Sequence, residues 1–200
     1  NLFVTGISYK DYNALNKSLD LPLFNRAIQG QYPPGSTLKP MLGLGALKAG
    51  VIDPKYKVRD PGYYQLEGDD RLYRDWKRKG HATHVDLHQA VVQSCDTYFY
   101  EAARLLGVDR LSITAKKYGL GSEVLKNFYL EEKNGIVPNT SWKKRVVGKN
   151  WVLGETLITG IGQGYIQTTP LQLCLMTAHI ANGGFKIKPR IIDDGSISYE

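Results

Sequence analysis

Apolar residues fall along the chain in blocks whose spacing switches between helical and extended periods. The most continuous block is Met41-Leu42-Gly43-Leu44-Gly45-Ala46-Leu47, preceded by Tyr32-Pro33-Pro34-Gly35-Ser36-Thr37-Leu38-Lys39-Pro40 and followed by Gly50. Two prolines and a glycine stop whatever comes before, Ser36 stands where a helix begins, and Gly50 can take positive φ just past its end. A helix is therefore expected over 36–49. Helical spacing recurs in short pieces over 10–26, broken at Asp20-Leu21-Pro22. It returns over 87–93 with Asp86 as cap, over 97–106 with Asp96 or Thr97 as cap and Gly107 behind, and over 108–118 closed by Gly119. A further helix starts at Thr169-Pro170 and ends at Gly183-Gly184. Alternating or β-branched stretches predict strands over 57–66 and 71–75, joined by Glu67-Gly68-Asp69-Asp70, and over 156–165 and 185–192. Residues 121–150 carry many charges and little periodicity, so they read as surface loop with short structure. Helices and strands are mixed with no repeat and no linker, which makes 1–200 a single α/β domain.

Composition narrows the class without naming it. Two hundred residues with 42% hydrophobic content suffice for one substantial core. No stretch is long and apolar enough to span a membrane or to act as a signal peptide. A net charge of +7 suits an anionic neighbour, but nothing resembles a nucleic-acid reader. The basic clusters Lys77-Arg78-Lys79 and Lys143-Lys144-Arg145 read as solvated loops. Cys95 and Cys174 can pair in an oxidising compartment, although the apolar helix around Cys174 favours a buried thiol there.

The chemistry centres on the first helix. Residues three apart share a helix face, so Ser36 and Lys39 become a nucleophile and a base within one turn. The helix dipole at its N-terminus and burial against the apolar run both oppose a charge on Lys39. The pattern alone is weak, because Ser141-Trp142-Lys143-Lys144 repeats it in a basic run with no apolar helix behind it. Ser18-Leu19-Asp20 likewise repeats the Ser-x-Asp spacing of Ser94-Cys95-Asp96. Ser36 as a plain N-cap, and Ser94 with Asp96 as a capping pair, are the structural alternatives.

Several stretches in order carry a resemblance. Pro33-Pro34-Gly35-Ser36-Thr37-Leu38-Lys39-Pro40, then Gln93-Ser94-Cys95-Asp96-Thr97, then Gly160-Ile161-Gly162-Gln163-Gly164-Tyr165 with Thr169-Pro170-Leu171-Gln172, look like the transpeptidase domain of the class B penicillin-binding proteins. Arg74-Asp75-Trp76 and Gly80-His81 are most similar to the members that serve cell elongation. The resemblance covers nearly the whole chain and implies the penicillin-recognising serine transpeptidase/β-lactamase-like fold. It implies Ser36 as acylated nucleophile, Lys39 as general base, and Ser94 as proton relay to the leaving amine. It implies peptidoglycan stem peptides as substrates and β-lactams as inhibitors. As partners it implies a polytopic glycosyltransferase and a scaffold protein, at the periplasmic face of the inner membrane with an anchor upstream of Asn1. A serine β-lactamase and a non-enzymatic β-lactam sensor share Ser36 and Lys39, but the Gly-Gln-Gly-Tyr and Thr-Pro-Leu-Gln stretches favour the transpeptidase.

Two departures stand out. Family members usually carry Asn at the third position of the Ser-x-Asn triad, where this chain has Asp96. An ionised carboxylate only accepts hydrogen bonds, and beside Lys39 it favours the charged amine. The family's Lys-Thr-Gly or Lys-Ser-Gly strand occurs nowhere in the chain, so a domain truncated before that strand, with one cleft wall and one oxyanion donor missing, is expected.

Asp60, Asp75, His81 and Cys95 offer oxygen, nitrogen and sulfur donors that suit four-coordinate structural zinc, and some elongation-class relatives are similar in holding zinc at this pattern. The alternative is that Asp60 starts the Asp-Pro-Gly turn, Asp75 pairs with a nearby Arg and Cys95 is merely small. His84 and His88 form a competing pair in an exposed position.

Overall fold

The computed structural model describes residues 3–125 and 131–190. Among them are α1 (Tyr9–Asn16), α2 (Arg26–Gln29), α3 (Lys39–Lys48), β1 (Tyr63–Gln65), β2 (Leu72–Arg74), α4 (Leu87–Val92) and α5 (Asp96–Leu106). They continue with α6 (Val108–Lys117), α7 (Thr140–Val146), α8 (Leu153–Gly160) and α9 (Pro170–Ala181). Helix and sheet are thus mixed, with helix predominating.

The fold is built around α5. Tyr98, Phe99, Ala103 and Leu106 are buried on it, and it packs against α3, α4, α6, α8 and both strands. Leu42 and Ala46 of α3 meet Phe99, Ala102 and Leu111 in one core cluster. A second cluster takes the other side of α3, where Leu38 and Met41 join Ala115, Leu120, Ile166 and Met176. Burial on two sides is why this helix is written almost wholly in small and apolar residues. Each large side chain so buried stabilises the fold by about 1.5–3 kcal/mol.

The expected helix over 36–49 forms in two parts. Gly35–Leu38 is a turn of 3-10 helix that runs into α3, and Gly50 follows at φ +67° as expected. The two strands are shorter than their hydrophobic pattern. β1 and β2 pair antiparallel through Tyr63↔Arg74, Tyr64↔Tyr73 and Gln65↔Leu72. The rest of the expected first strand is interrupted at Pro61, which has no N–H for a ladder, and contributes one bridge, Val58↔Val85. Tyr64 and Tyr73 pack their rings on Tyr100 of α5. Glu101 on the next position accepts bonds from Tyr64, from Tyr56 at 3.0 Å and from both arms of Arg104 at 2.8 Å.

Four expectations need correction. The strand expected over 156–165 is helix α8: Glu155 reaches back to the Val152 N–H at 3.0 Å, and Thr156, Leu157, Thr159 and Gly160 form its buried helical face. Capping and a helical burial pattern outweigh the β-branched composition. Residues 140–146, expected in a loop, form α7, capped by Asn139 accepting from Trp142 N at 2.7 Å. Within it Lys143 is buried instead of solvated. Cys174 is exposed because α9 turns Gln172, Met176 and His179 inward, and neither cysteine is in a disulfide. Of the strand expected over 185–192, positions 191 and 192 lie outside the described residues, and 185–190 hold a bridge residue at Ile187 only. Among the described residues no helix is long and apolar enough to cross a membrane.

Candidate active site and four-donor cluster

The segment Tyr32 to Lys39 is pinned from both ends. Tyr32 pairs with Thr168 in an antiparallel bridge, and Gly35 N donates to Gly162 O at 2.9 Å. A side chain at Gly162, which sits at φ +72°, would meet Gly35 O at 2.1 Å. The Gly-Ile-Gly-Gln-Gly stretch therefore has a steric duty: it lets one backbone lie directly against the turn that presents Ser36. Thr37 Oγ1 closes the turn on Pro34 O at 2.7 Å.

Ser36 is exposed on that turn, and Lys39 is buried, with 2% of its side chain accessible. Lys39 Nζ donates to Ser94 O at 2.9 Å, Ser94 Oγ at 3.1 Å and Asp96 Oδ1 at 2.6 Å, with the Phe99 ring face 5.5 Å away. An ammonium has three N–H groups, and all three are used here. Among the described residues no hydrogen bond joins Ser36 Oγ to this amine. The structure thus brings Lys39, Ser94 and Asp96 into contact and holds Ser36 one turn away on the same segment. The second Ser-x-x-Lys match is not a site: Ser141 and Lys144 are both exposed.

Ser94 lies between α4 and α5 with φ +54°, a conformation that costs a non-glycine residue about 1–3 kcal/mol. The expectation that Asp96 or Thr97 caps α5 is corrected. Cys95 is the cap, its Sγ accepting from Tyr98 N at 3.4 Å. This frees the Asp96 carboxylate to take Lys39 on one oxygen and the Trp76 N–H, at 3.3 Å, on the other. Ser94 and Asp96 are therefore not a capping pair.

The four-donor set assembles beside this loop. Asp60, Asp75, His81 and Cys95 place one ligand atom each within 4.8 Å of one another, and all four side chains are withdrawn from solvent. Asp60 precedes β1, Asp75 follows β2, His81 comes from the next loop and Cys95 from the start of α5. A side chain at Gly80, φ +76°, would meet Asp60 O at 2.0 Å, so only glycine lets the two loops cross. Asp60 Oδ2 faces His81 Nδ1 at 2.6 Å and Cys95 Sγ at 3.5 Å. Asp60 Oδ1 accepts from Gly62 N and Thr97 Oγ1, both at 2.8 Å. Asp75 Oδ2 takes Thr97 N at 2.9 Å and Oδ1 takes Lys77 N at 3.0 Å, so it pairs with backbone and not with an Arg.

Burial works to raise the Asp60 carboxyl, but the bonds from His81, Gly62 and Thr97 outweigh it and hold the group below its usual range. Burial pushes the Cys95 thiol far up, helped by the charges of Asp60 and Asp75, against a single opposing bond from Tyr98 N. Without a cation Cys95 stays a thiol donating to Asp60; a thiolate beside these two carboxylates needs a cation among them. His84 and His88 are exposed, as expected.

Sequence reasoning missed Trp76 as part of the site. In the sequence it stands only within Arg74-Asp75-Trp76, a stretch that carries the resemblance and was given no role of its own.

A strained serine, a buried lysine and an exposed serine one turn from that lysine thus stand together at one place in the fold. Residues 3–197 match the penicillin binding protein transpeptidase domain, and the chain belongs to that family. It is 45% identical to the peptidoglycan D,D-transpeptidase MrdA of Acinetobacter baumannii over 96% of its length and 28% of that protein. The chain therefore spans under a third of that curated relative. It is similar to the crystal structure of Pseudomonas aeruginosa PBP2 in complex with WCK 5153, with a TM-score of 0.90 and 47% identity, covering 100% of this chain and 46% of that one. It is also similar to PBP2 of Helicobacter pylori in complex with MreC, with a TM-score of 0.87 and 32% identity, covering 98% and 36%.

Proposed function

We propose that the chain carries the acyl-transfer centre of a peptidoglycan D,D-transpeptidase of cell elongation and shape maintenance. The observation that carries this reading is the Lys39 amine held 3.1 Å from Ser94 Oγ, one turn from an open Ser36 hydroxyl. Ser36 Oγ attacks the carbonyl of the penultimate D-alanine of a stem peptide while its proton passes to Lys39. For that, Lys39 enters the step as the neutral amine, its extra proton released to solvent beforehand. Ser94 Oγ gives its hydroxyl proton to the nitrogen of the terminal D-alanine, which leaves as the Ser36 ester forms, and takes from Lys39 the proton that came from Ser36. An amine of a neighbouring strand then displaces Ser36 and completes the cross-link. The Ser36 N–H lies in the first helical turn, where N–H groups lack an intrahelical partner, and supplies one oxyanion donor. β-Lactams acylate Ser36 because their strained amide mimics the D-alanyl-D-alanine bond.

Structural zinc at Asp60, Asp75, His81 and Cys95 belongs to the same reading. The mixed O, N and S donor set, its burial and the thiol between two carboxylates support it. When bound, the ion supplies positive charge that favours thiolate and ties the loop before β1 to the start of α5. The chain's proposed location is the periplasmic face of the inner membrane. Its proposed partners are a scaffold protein, which the H. pylori relative's complex with MreC supports, and a glycosyltransferase.

The test is intact mass of the full-length protein after exposure to a penicillin, beside Ser36→Ala, with metal analysis of the parent and Cys95→Ala. A lasting adduct lost in Ser36→Ala, and about one zinc per chain lost in Cys95→Ala, are expected. No adduct on folded parent protein sinks the transpeptidase, and rapid release of hydrolysed drug replaces it with a β-lactamase.

A further inference from the structure

Trp76 is 63% exposed, yet every polar atom able to donate from it is engaged at the site. Its backbone N–H donates to Asp96 Oδ2 at 3.3 Å. Its indole Nε1–H is forked between Gln93 O at 3.2 Å and Ser94 O at 3.1 Å. Each of those carbonyls is also met from another side. His81 Nε2 faces Gln93 O at 3.2 Å, and Lys39 Nζ donates to Ser94 O at 2.9 Å. The indole edge rests on the His81 ring, with centroids 5.4 Å apart and planes at 70°.

A large ring this exposed gains little from burial, so its contribution lies in the N–H. The peptide it grips carries Ser94 at φ +54°, a conformation that persists only where neighbours hold it. The carbonyl of that peptide is one of the three acceptors that set the position of the Lys39 amine. Trp76 therefore touches both the four-donor cluster, through His81, and the carbonyl on which Lys39 rests.

We propose that Trp76 is a positioning residue for acylation: its indole N–H locks the Gln93 and Ser94 carbonyls and so holds Lys39 against Ser94 Oγ, linking the order of the four-donor cluster to the rate at which Ser36 reacts. The proposal rests on the transpeptidase reading. It involves no contact between Trp76 and the reacting atoms.

The test replaces Trp76 in the full-length protein by 5-fluorotryptophan, which keeps the N–H, and by 3-benzothienylalanine, which keeps the shape and puts sulfur in its place. Trp76→Phe is the genetic counterpart. The first-order acylation constant and the preacylation affinity are read with a fluorescent penicillin, alongside Tm and bound metal. Loss of one hydrogen bond predicts about a tenfold slower acylation constant in the benzothienyl and Phe proteins. The fluoro analogue keeps the parental rate. Preacylation affinity, Tm and metal content stay unchanged in the benzothienyl protein. A parental acylation constant in the benzothienyl protein overturns the proposal, as does a slowing matched by an equal loss in the fluoro analogue. A folded parent that does not acylate at all removes the transpeptidase reading and the positioning role together, which separates the two failures.

Discussion

Among the described residues two lysines are buried, each against a carboxylate and aromatic side chains, and only one sits in a candidate site. Lys39 has 2% of its side chain accessible and pairs with Asp96; Lys143 has 5% and pairs with Glu155. Lys39 lies 5.5 Å from the Phe99 ring centre, and Lys143 lies 5.8 Å from Trp151 and 5.9 Å from Tyr165. Even the sequence pattern recurs, with Ser141 near Lys143 and Lys144. What differs is the company of hydroxyls. Lys39 touches Ser94 Oγ and shares a helical segment with the exposed Ser36, whereas Lys143 ends between Glu155 and the rings of Trp151 and Tyr165. Burial and ion pairing make both lysines rigid; in the proposed function it is the neighbouring hydroxyls that give Lys39 a part in proton transfer.

Substitution of the two lysines separates these roles most sharply. Lys39→Ala lowers the penicillin acylation rate by about 10³-fold, in the range for a positioned proton-transfer group. Lys143→Ala leaves acylation by the folded protein within about threefold but lowers stability. The expected cost is about 2–3 kcal/mol, below that of a fully buried pair because Glu155 keeps 23% of its side chain in solvent. Stopped-flow acylation and denaturant unfolding measure the two arms, and a stability loss without a rate loss in Lys39→Ala breaks the distinction.

Asp96 is the next discriminator. Asp96→Ala removes the acceptor 2.6 Å from Lys39 Nζ and slows acylation by about 10–100-fold, the value of one bond to a charged group. Asp96→Asn, the residue more usual in the family, keeps an oxygen there and stays within about fivefold of the parent. Equal losses in the two variants mean that the charge and not the acceptor oxygen matters, and no loss in either means that the contact is unimportant.

The smallest effect concerns a carboxylate away from both lysines. Burial acts to raise the Glu101 carboxyl, but bonds from Arg104, Tyr64 and Tyr56 outweigh it, and the group titrates below its usual range. A depressed folded value gives stability that is present above the unfolded value, about 4.3, and is lost as pH falls through the folded one. Glu101→Gln is therefore less stable than the parent at neutral pH, and the two Tm curves converge on acidification below about pH 4. Parallel curves through that range rule the assignment out.

Much of this was legible along the chain. The Pro-Pro-Gly-Ser-Thr-Leu-Lys-Pro segment announced its own helix, since prolines, a glycine and an apolar run act locally. The four donors were legible by kind, because few other duties place Asp, Asp, His and Cys in that order around a short hairpin. α8 was misread because its β-branched residues favour strand locally, and only packing against α5 shows which face is buried. The capping role given to Asp96 failed because a neighbouring sulfur took the backbone N–H, and Cys174 was misplaced because an apolar helix does not declare which side is outermost.

The sequence by itself determined the turn that presents Ser36, the family and the chemical inventory, all of which depend on residue type and short spacing. Tertiary structure alone decided which of two Ser-x-x-Lys segments meets a second serine, that Asp96 reaches Lys39, and that Trp76 spans the two carbonyls beside them. Those contacts join residues 17 to 57 positions apart, and pairing over such distances is settled by how helices and loops close around the core, where no local pattern acts.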